Sequence, residues 1–267
     1  MRVFSHTASN TEIVCALGRA DWLVGVDADS DYPEDVVARL PRPGRDLDLD
    51  AAAVRALAPD LVLTSLTVPG HEKVVAALRA EGMRVLVCDP VSLADVYDDI
   101  RRIAVALEVP ERGDALVGAM DVAMPEVAVE GERPRVLVEW WPKPVIAPGR
   151  QSWVTDMIWR AGGTNPWADV EVKSQPLDTA RVVAAAPAID VMSWCGVDVS
   201  KYRADVVRRR PGWDTVPAVA ADRIIPISEA FLGRPGPRLV AGYRALRRVI
   251  ESAAGAGSGV MVPVGAI

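Results

Sequence analysis

The chain of 267 residues carries only two imidazoles, His6 and His71, so it has little material for acid–base or metal chemistry. His71 is followed by Glu72, but the second histidine of a zinc-protease motif is missing. Either histidine would need carboxylates as partners to hold a metal, and no metal site is assigned. No Gly-x-Ser-x-Gly elbow follows an apolar run. Asp27, Asp29 and Asp31 alternate in what reads as an exposed loop, without the Asp/Gly pattern of a calcium loop. An enzyme would have to work with His6, Asp27 or Cys195, and none has a partner visible in the sequence. No catalytic residue or intrinsic cofactor is assigned, and the expected class is a binding protein. The competing classes are an enzyme acting on a bound chelate and a non-catalytic sensor or scaffold.

The aromatic residues say more. Eight tryptophans stand against two phenylalanines. Tyr32 sits in SDYP, Trp140 and Trp141 end RVLVEWW, Trp194 ends AIDVMSW, and Phe231 follows RIIPIS. These positions lie at the ends of apolar runs rather than within them, which points to a ligand wall. Trp159, on a helical pattern, reads as core. Neighbouring strand residues face opposite ways, so one of Trp140 and Trp141 is expected to meet the ligand. Flat rings suit a large, partly apolar macrocycle, and each offset stack adds about 0.5–1.5 kcal/mol beyond area burial. An anionic ferric siderophore would instead need converging arginines, for which Arg45, Arg150 and Arg234 are candidates.

Strand and helix signals alternate over residues 1–90. Val3–Phe4 is a short strand, Ser9-x-x-Glu12 reads as a capping box, and LVGV is buried. Asp50 caps a helix ended by Pro59, followed by the strand DLVLTS. Residues 134–251 alternate similarly, which predicts parallel sheets covered by helices. The second half also echoes the first. Leu49–Ser65 and Leu177–Ser193 agree at eight of seventeen positions, including the Leu-Asp start, the proline and the final serine. TEIVCALG and TDMIWRAG form a second echo. The expected architecture is α/β: two similar lobes with mainly parallel sheets, a long central helix and a ligand cleft between the lobes. The expected spans are 1–91 for the first lobe, 92–129 for one long or kinked helix, 130–254 for the second lobe, and 255–267 for a flexible tail. A stiff connecting helix would limit the lobes to a small rocking motion. In the tail, GAGSG follows no strand and opens no helix, so it is not a nucleotide loop.

The net charge of −6 argues against nucleic acid as a partner, and the basic run Arg208-Arg209-Arg210 reads as a solvated helix end. No apolar run approaches a membrane span. Cys15, Cys88 and Cys195 are scattered and odd in number, so each is expected to be a buried thiol. The first residues lack the apolar core of a secretion signal, so the expected compartment is the cytoplasm; removal of a signal would make it the periplasm or cell surface.

SNTEIVCALG, SDYP, APDLVL, AGGTNPW and RPGPRLVAGYRAL, in this order and spacing, resemble the substrate-binding proteins of cobalamin and iron-siderophore ABC transporters, and most of all the cobalamin-binding members. The likeness covers nearly all of residues 3–251. It implies a two-lobed fold, no catalysis, and a corrinoid as ligand, with heme or a ferric siderophore as alternatives. It places Tyr32, Trp140 and Phe231 at corrinoid contacts. Trp141, Trp194 and Arg234 complete the expected ligand set. It also makes Glu72 one of two glutamates that dock on a membrane permease. The other aligns with Gly233, and neither Glu229 nor Glu251 fits its place. A monomer is expected, either engaged with a permease or as a detached cytoplasmic relative.

Overall fold

The structure is a computed structural model that describes residues 1–255; the tail expectation lies outside the described residues from Ala256 onward. The chain divides into two compact units. The first comprises Met1–Pro90, Ala94–Asp121 and Pro235–Pro237, and the second comprises Val91–Leu93, Val122–Arg234 and the described residues from Arg238 on.

The first unit is built on a four-stranded parallel sheet, in the order Leu23–Val26, Val3–Ser5, Leu61–Ser65, Val85–Cys88. The central strands are buried on both faces, as parallel strands between helices must be. Phe4, Val54, Val62, Val74 and Leu78 form one side of this core. The second unit has a three-stranded parallel sheet, Ile224–Pro226, Ile189–Met192, Val136–Glu139. Its core gathers Leu137, Val182, Met192, Trp194, Val207 and Trp213.

The internal repeat is structural. Asp50 and Asp178 both cap a helix, accepting from the backbone N–H of Ala53 at 2.9 Å and of Arg181 at 2.8 Å. Ala58 and Ala186 both adopt the left-handed conformation, with φ of 48° and 45°, immediately before the matched prolines. The N–H groups of Asp60 and Leu61 donate to the carbonyl of Arg2, and those of Ala188 and Ile189 donate to that of Arg135. The second echo holds too. Gly18 and Gly162 end their helices at φ of 68° and 96°, values that suit a residue without Cβ.

Four expectations are corrected. The first helix, Ala8–Ala16, starts before Ser9 and has no side-chain cap, so the capping box does not form. Its entry is set by Thr7, at φ 80°, whose N–H donates to the Asp27 carboxylate at 2.9 Å. The single connecting helix is two helices, Leu93–Ala106 and Pro110–Ala123. Glu108 turns the chain at φ 59°, and Pro110 opens the next helix at a position that needs no N–H. The pair folds back because Gly113 has no side chain; a Cβ there would lie 2.5 Å from that of Ala104. Almost all of both helices belongs to the first unit rather than to a separate connector, and there Arg112 donates to the Leu17 carbonyl at 3.0 Å and Arg19 to that of Leu107 at 3.2 Å. The second unit also holds an antiparallel sheet, Ser174–Leu177, Val145–Pro148, Trp141–Pro142, that the alternation did not predict. Finally, Trp159 is not core. It is 48% exposed, with the Arg133 guanidinium 3.7 Å above its ring and its indole N–H donating to Glu126 at 2.9 Å.

Candidate functional site

In parallel sheets, ligands collect at the carboxyl ends of the strands, where the following loops begin. In the first unit that edge is polar and closely cross-linked. His6 leaves the first strand fully buried. Its Nε2 lies 2.7 Å from the carbonyl oxygen of Asp46, which only accepts, and its Nδ1 lies 2.6 Å from Thr64 Oγ1. The neutral ring therefore carries its proton on Nε2 and accepts from Thr64. Burial lowers the pKa of His6 to about 4, with the nearby His71 adding to the fall while the bond to Asp46 opposes it. His71 opens the helix His71–Ala80, also fully buried, in edge contact with His6 at 4.9 Å between ring centroids. Its Nε2 is 3.5 Å from an Asp46 carboxylate oxygen, and that contact holds the Asp46 carboxyl below its usual range. The two histidines, 65 positions apart in the sequence, thus share one acidic neighbour. Among the described residues no group of three or more His, Cys, Asp or Glu is placed to hold a metal.

Asp27 was expected in an exposed loop and is fully buried instead. Its carboxylate accepts from Thr7 N–H, from Asp29 N–H at 2.8 Å and from the Ser30 hydroxyl at 2.7 Å. Burial raises its pKa, and these bonds act against the rise. Asp29 in turn pairs with Arg45 at 2.8 Å and accepts from the Asp46 N–H at 3.0 Å. The loop after the second strand is thereby tied to the hairpin at 44–49. Tyr32 follows that loop with 47% of its surface exposed.

In the second unit, Glu139 ends its strand in the core with no exposed surface. Trp140 is half-buried, and Trp141 stands 44% exposed on the edge strand of the antiparallel sheet. Phe231 is half-buried under the Arg238 guanidinium, 5.5 Å from the ring centroid. Arg234 pairs with Glu229 at 2.8 Å, and Arg150 with Glu171 at 2.9 Å. Trp194 departs from its expected place on a ligand wall. It is 5% exposed, packs in the core, and donates its indole N–H to Glu139 at 3.1 Å, because the strand Ile189–Met192 turns it inward. Cys195, expected as a buried thiol, lies in the exposed turn that follows.

A two-unit α/β chain with parallel sheets and aromatic residues at their carboxyl ends is matched by a family profile described as periplasmic binding protein, over residues 3–230. The chain belongs to the periplasmic binding protein family. Members of this family are substrate-binding proteins and not enzymes. This binding protein is 29% identical over 258 residues to the ABC transporter substrate-binding lipoprotein YvrC of Bacillus subtilis, covering 93% of this chain and 79% of that protein. It is 24% identical over 248 residues to the vitamin B12-binding protein of Salmonella paratyphi A, covering 92% of this chain and 88% of that one. Among solved structures, the apo periplasmic heme-binding protein RhuT from Roseiflexus sp. RS-1 superposes with a TM-score of 0.79 at 30% identity, covering 95% of this chain and 98% of that one. The expectation of a cytoplasmic protein finds no support in these relatives, of which YvrC is named as a lipoprotein and RhuT as a periplasmic protein. No helix among the described residues is long and apolar enough to cross a membrane.

Sequence reasoning missed Asp46 and Arg210. Asp46 reaches His6 and His71 from a two-strand hairpin, Gly44–Arg45 with Asp48–Leu49, too short to show periodicity. Arg210, read with its neighbours as solvated, has a side chain only 9% exposed and an ion pair with Glu139.

Proposed function

We propose that this chain is the substrate-binding component of an ABC uptake system, and that its ligand is a corrinoid. The ring-facing residues are Tyr32 in the first unit and Trp141 in the second, supported by Trp140 and Phe231. The observation that carries the reading is the contrast between aromatic and cationic groups. Tyr32 and Trp141 expose their rings at the carboxyl ends of strands. The three arginines available to clamp an anionic chelate are each matched to a carboxylate: Arg45 to Asp29, Arg150 to Glu171 and Arg234 to Glu229. A ligand recognised by its flat face and neutral edge fits that distribution better than a ferric siderophore does. The likeness to a vitamin B12-binding protein supports the same reading.

Heme is the second reading, favoured by the 30% identity to a heme-binding protein. Glu72, exposed at the start of the helix His71–Ala80, is the docking residue toward a permease. Gly233 supplies no acid at the other expected docking position.

The test is a fluorescence and visible-absorbance titration with cyanocobalamin, hemin and ferric enterobactin, a trianionic catecholate chelate. Cyanocobalamin is expected to quench tryptophan emission saturably, with Trp141→Ala and Tyr32→Ala each weakening binding several-fold to about tenfold, the scale of one lost stack. Saturation by hemin alone would replace the corrinoid with heme. Saturation by ferric enterobactin alone would overturn the aromatic argument.

A further inference from the structure

The dipeptide Trp140-Trp141 is bracketed by a single guanidinium. Arg210 follows the helix Ala204–Arg208 and turns inward. Its two terminal nitrogens both donate to the Glu139 carboxylate, Nη2 to Oε2 at 2.9 Å and Nη1 to Oε1. Nη2 also reaches the carbonyl oxygen of Pro142 at 3.3 Å. Glu139 immediately precedes the tryptophan pair and Pro142 immediately follows it. The guanidinium lies 4.5 Å from the Trp213 ring centroid, and that ring is buried in the core. Arg210 is therefore fixed on one face by stacking and on its edge by a forked carboxylate, a geometry that lysine does not reproduce.

The backbone around the pair is held from two further sides. Trp140 N–H donates to the Ile146 carbonyl at 2.7 Å, and the Trp140 carbonyl accepts from Cys195 N–H at 3.0 Å. Trp141 lies on an edge strand of only two residues. Against the turn that follows this strand is an open cavity of about 290 Å³ lined by Lys143, Asp205, Val206, Arg209, Arg210 and Pro211. Lys143 belongs to the hairpin turn itself, so the turn has space to shift into if Arg210 lets go.

We propose that Arg210 is a positioning residue for ligand recognition: it touches no ligand, but holds Glu139 and the Pro142 carbonyl so that the exposed Trp141 ring stays in place. This inference rests on the reading of Trp141 as ring-facing. A double-mutant cycle separates positioning from a general loss of fold. Arg210→Met is expected to weaken cyanocobalamin or hemin binding about tenfold, and Arg210→Lys nearly as much. Added to Trp141→Ala, Arg210→Met is expected to cost less than a further twofold. Multiplied losses would overturn the proposal. Glu139→Gln/Arg210→Met leaves no lone buried charge, and is expected to give the same coupling should Arg210→Met alone not fold. A ligand-free arm measures amide hydrogen exchange. Arg210→Met is expected to speed exchange over residues 139–146 at least tenfold, leaving the strand Leu61–Ser65 unchanged. Unaltered exchange over 139–146 would overturn the proposal even where wild type binds neither probe, an outcome that separately defeats the macrocycle reading.

Discussion

Asp190 and Glu139 lie on the same face of neighbouring parallel strands, both without exposed surface. Asp190 stands opposite Leu137, two residues back from Glu139. Arg210 takes Glu139. One arginine cannot fully offset two buried carboxylates. Burial first, and the charge of Glu139 second, raise the pKa of Asp190 well above that of an ordinary carboxyl, while Arg210 pulls it down.

A pH dependence follows from Asp190. Its folded pKa lies above its unfolded value, so the stability it contributes is fully present below about pH 4, the unfolded carboxyl range. That contribution falls as pH rises toward the raised folded value, because the unfolded chain gives up the proton first. Asp190→Asn keeps the shape and cannot ionise. Urea unfolding at pH 5 and pH 8 is expected to show Asp190→Asn gaining on wild type as pH rises. A stability difference constant between the two pH values would show that Asp190 is charged in the fold.

The repeat makes that site notable. Val62 N–H donates to the Arg84 carbonyl and Asp190 N–H to the Arg223 carbonyl, so the two residues occupy corresponding places. The first unit fills its place with a fully buried valine. The duplication was legible because caps, the left-handed alanine and the proline are local features that the sequence writes in adjacent letters. Asp190 was legible as a strand residue but not as a buried acid, because its environment comes from Glu139, 51 positions earlier, and Arg210, 20 positions later. The hairpin carrying Trp141 was missed for a different reason. Pro142, Pro144 and Pro148 sit within it, and prolines count against a strand unless it lies at an edge. The same limit reversed Trp159 and Trp194. Helix position said nothing of the Arg133 stack that lets Trp159 sit half in water, and strand-end position said nothing of the Glu139 partner that draws Trp194 inside.

The matched caps allow a direct test of the repeat. Asp50→Ala and Asp178→Ala each remove a side-chain acceptor from one helix N-terminus, and each is expected to cost about 1 kcal/mol. Chemical denaturation should give losses equal within about 0.5 kcal/mol. A loss at one site with none at the other would mean that the two caps hold helices of different importance.

Trp159→Ala should be mild. The ring is about half exposed, and its main partners are the Arg133 guanidinium and Glu126. An exposed cation–π contact is worth about 0.5–1 kcal/mol, so the expected loss in urea unfolding is about 1–2 kcal/mol once the half-buried face is included. A loss of 4 kcal/mol or more, the scale of a core tryptophan, would return Trp159 to the interior.

His6 contributes to the acid sensitivity of the first unit. Asp46, His71 and Asp29 are the charged or titratable groups that act on it, and burial outweighs them to hold the folded pKa at about 4 against 6.5 unfolded. The sign is opposite to that of Asp190. The unfolded chain binds a proton to this histidine below pH 6.5 and the folded chain does not, so stability is lost as pH falls from 6.5 toward 4. The full loss is on the order of 3 kcal/mol. Nitrogen NMR of the ring should show the Nε2–H tautomer persisting at pH 5.5, with Nδ1 unprotonated. In His6→Asn the decline in stability between pH 6.5 and 4.5 should be shallower than in wild type. An imidazolium signal from His6 at pH 6 would mean that Thr64 and the Asp46 carbonyl stabilise the charged ring rather than the neutral one.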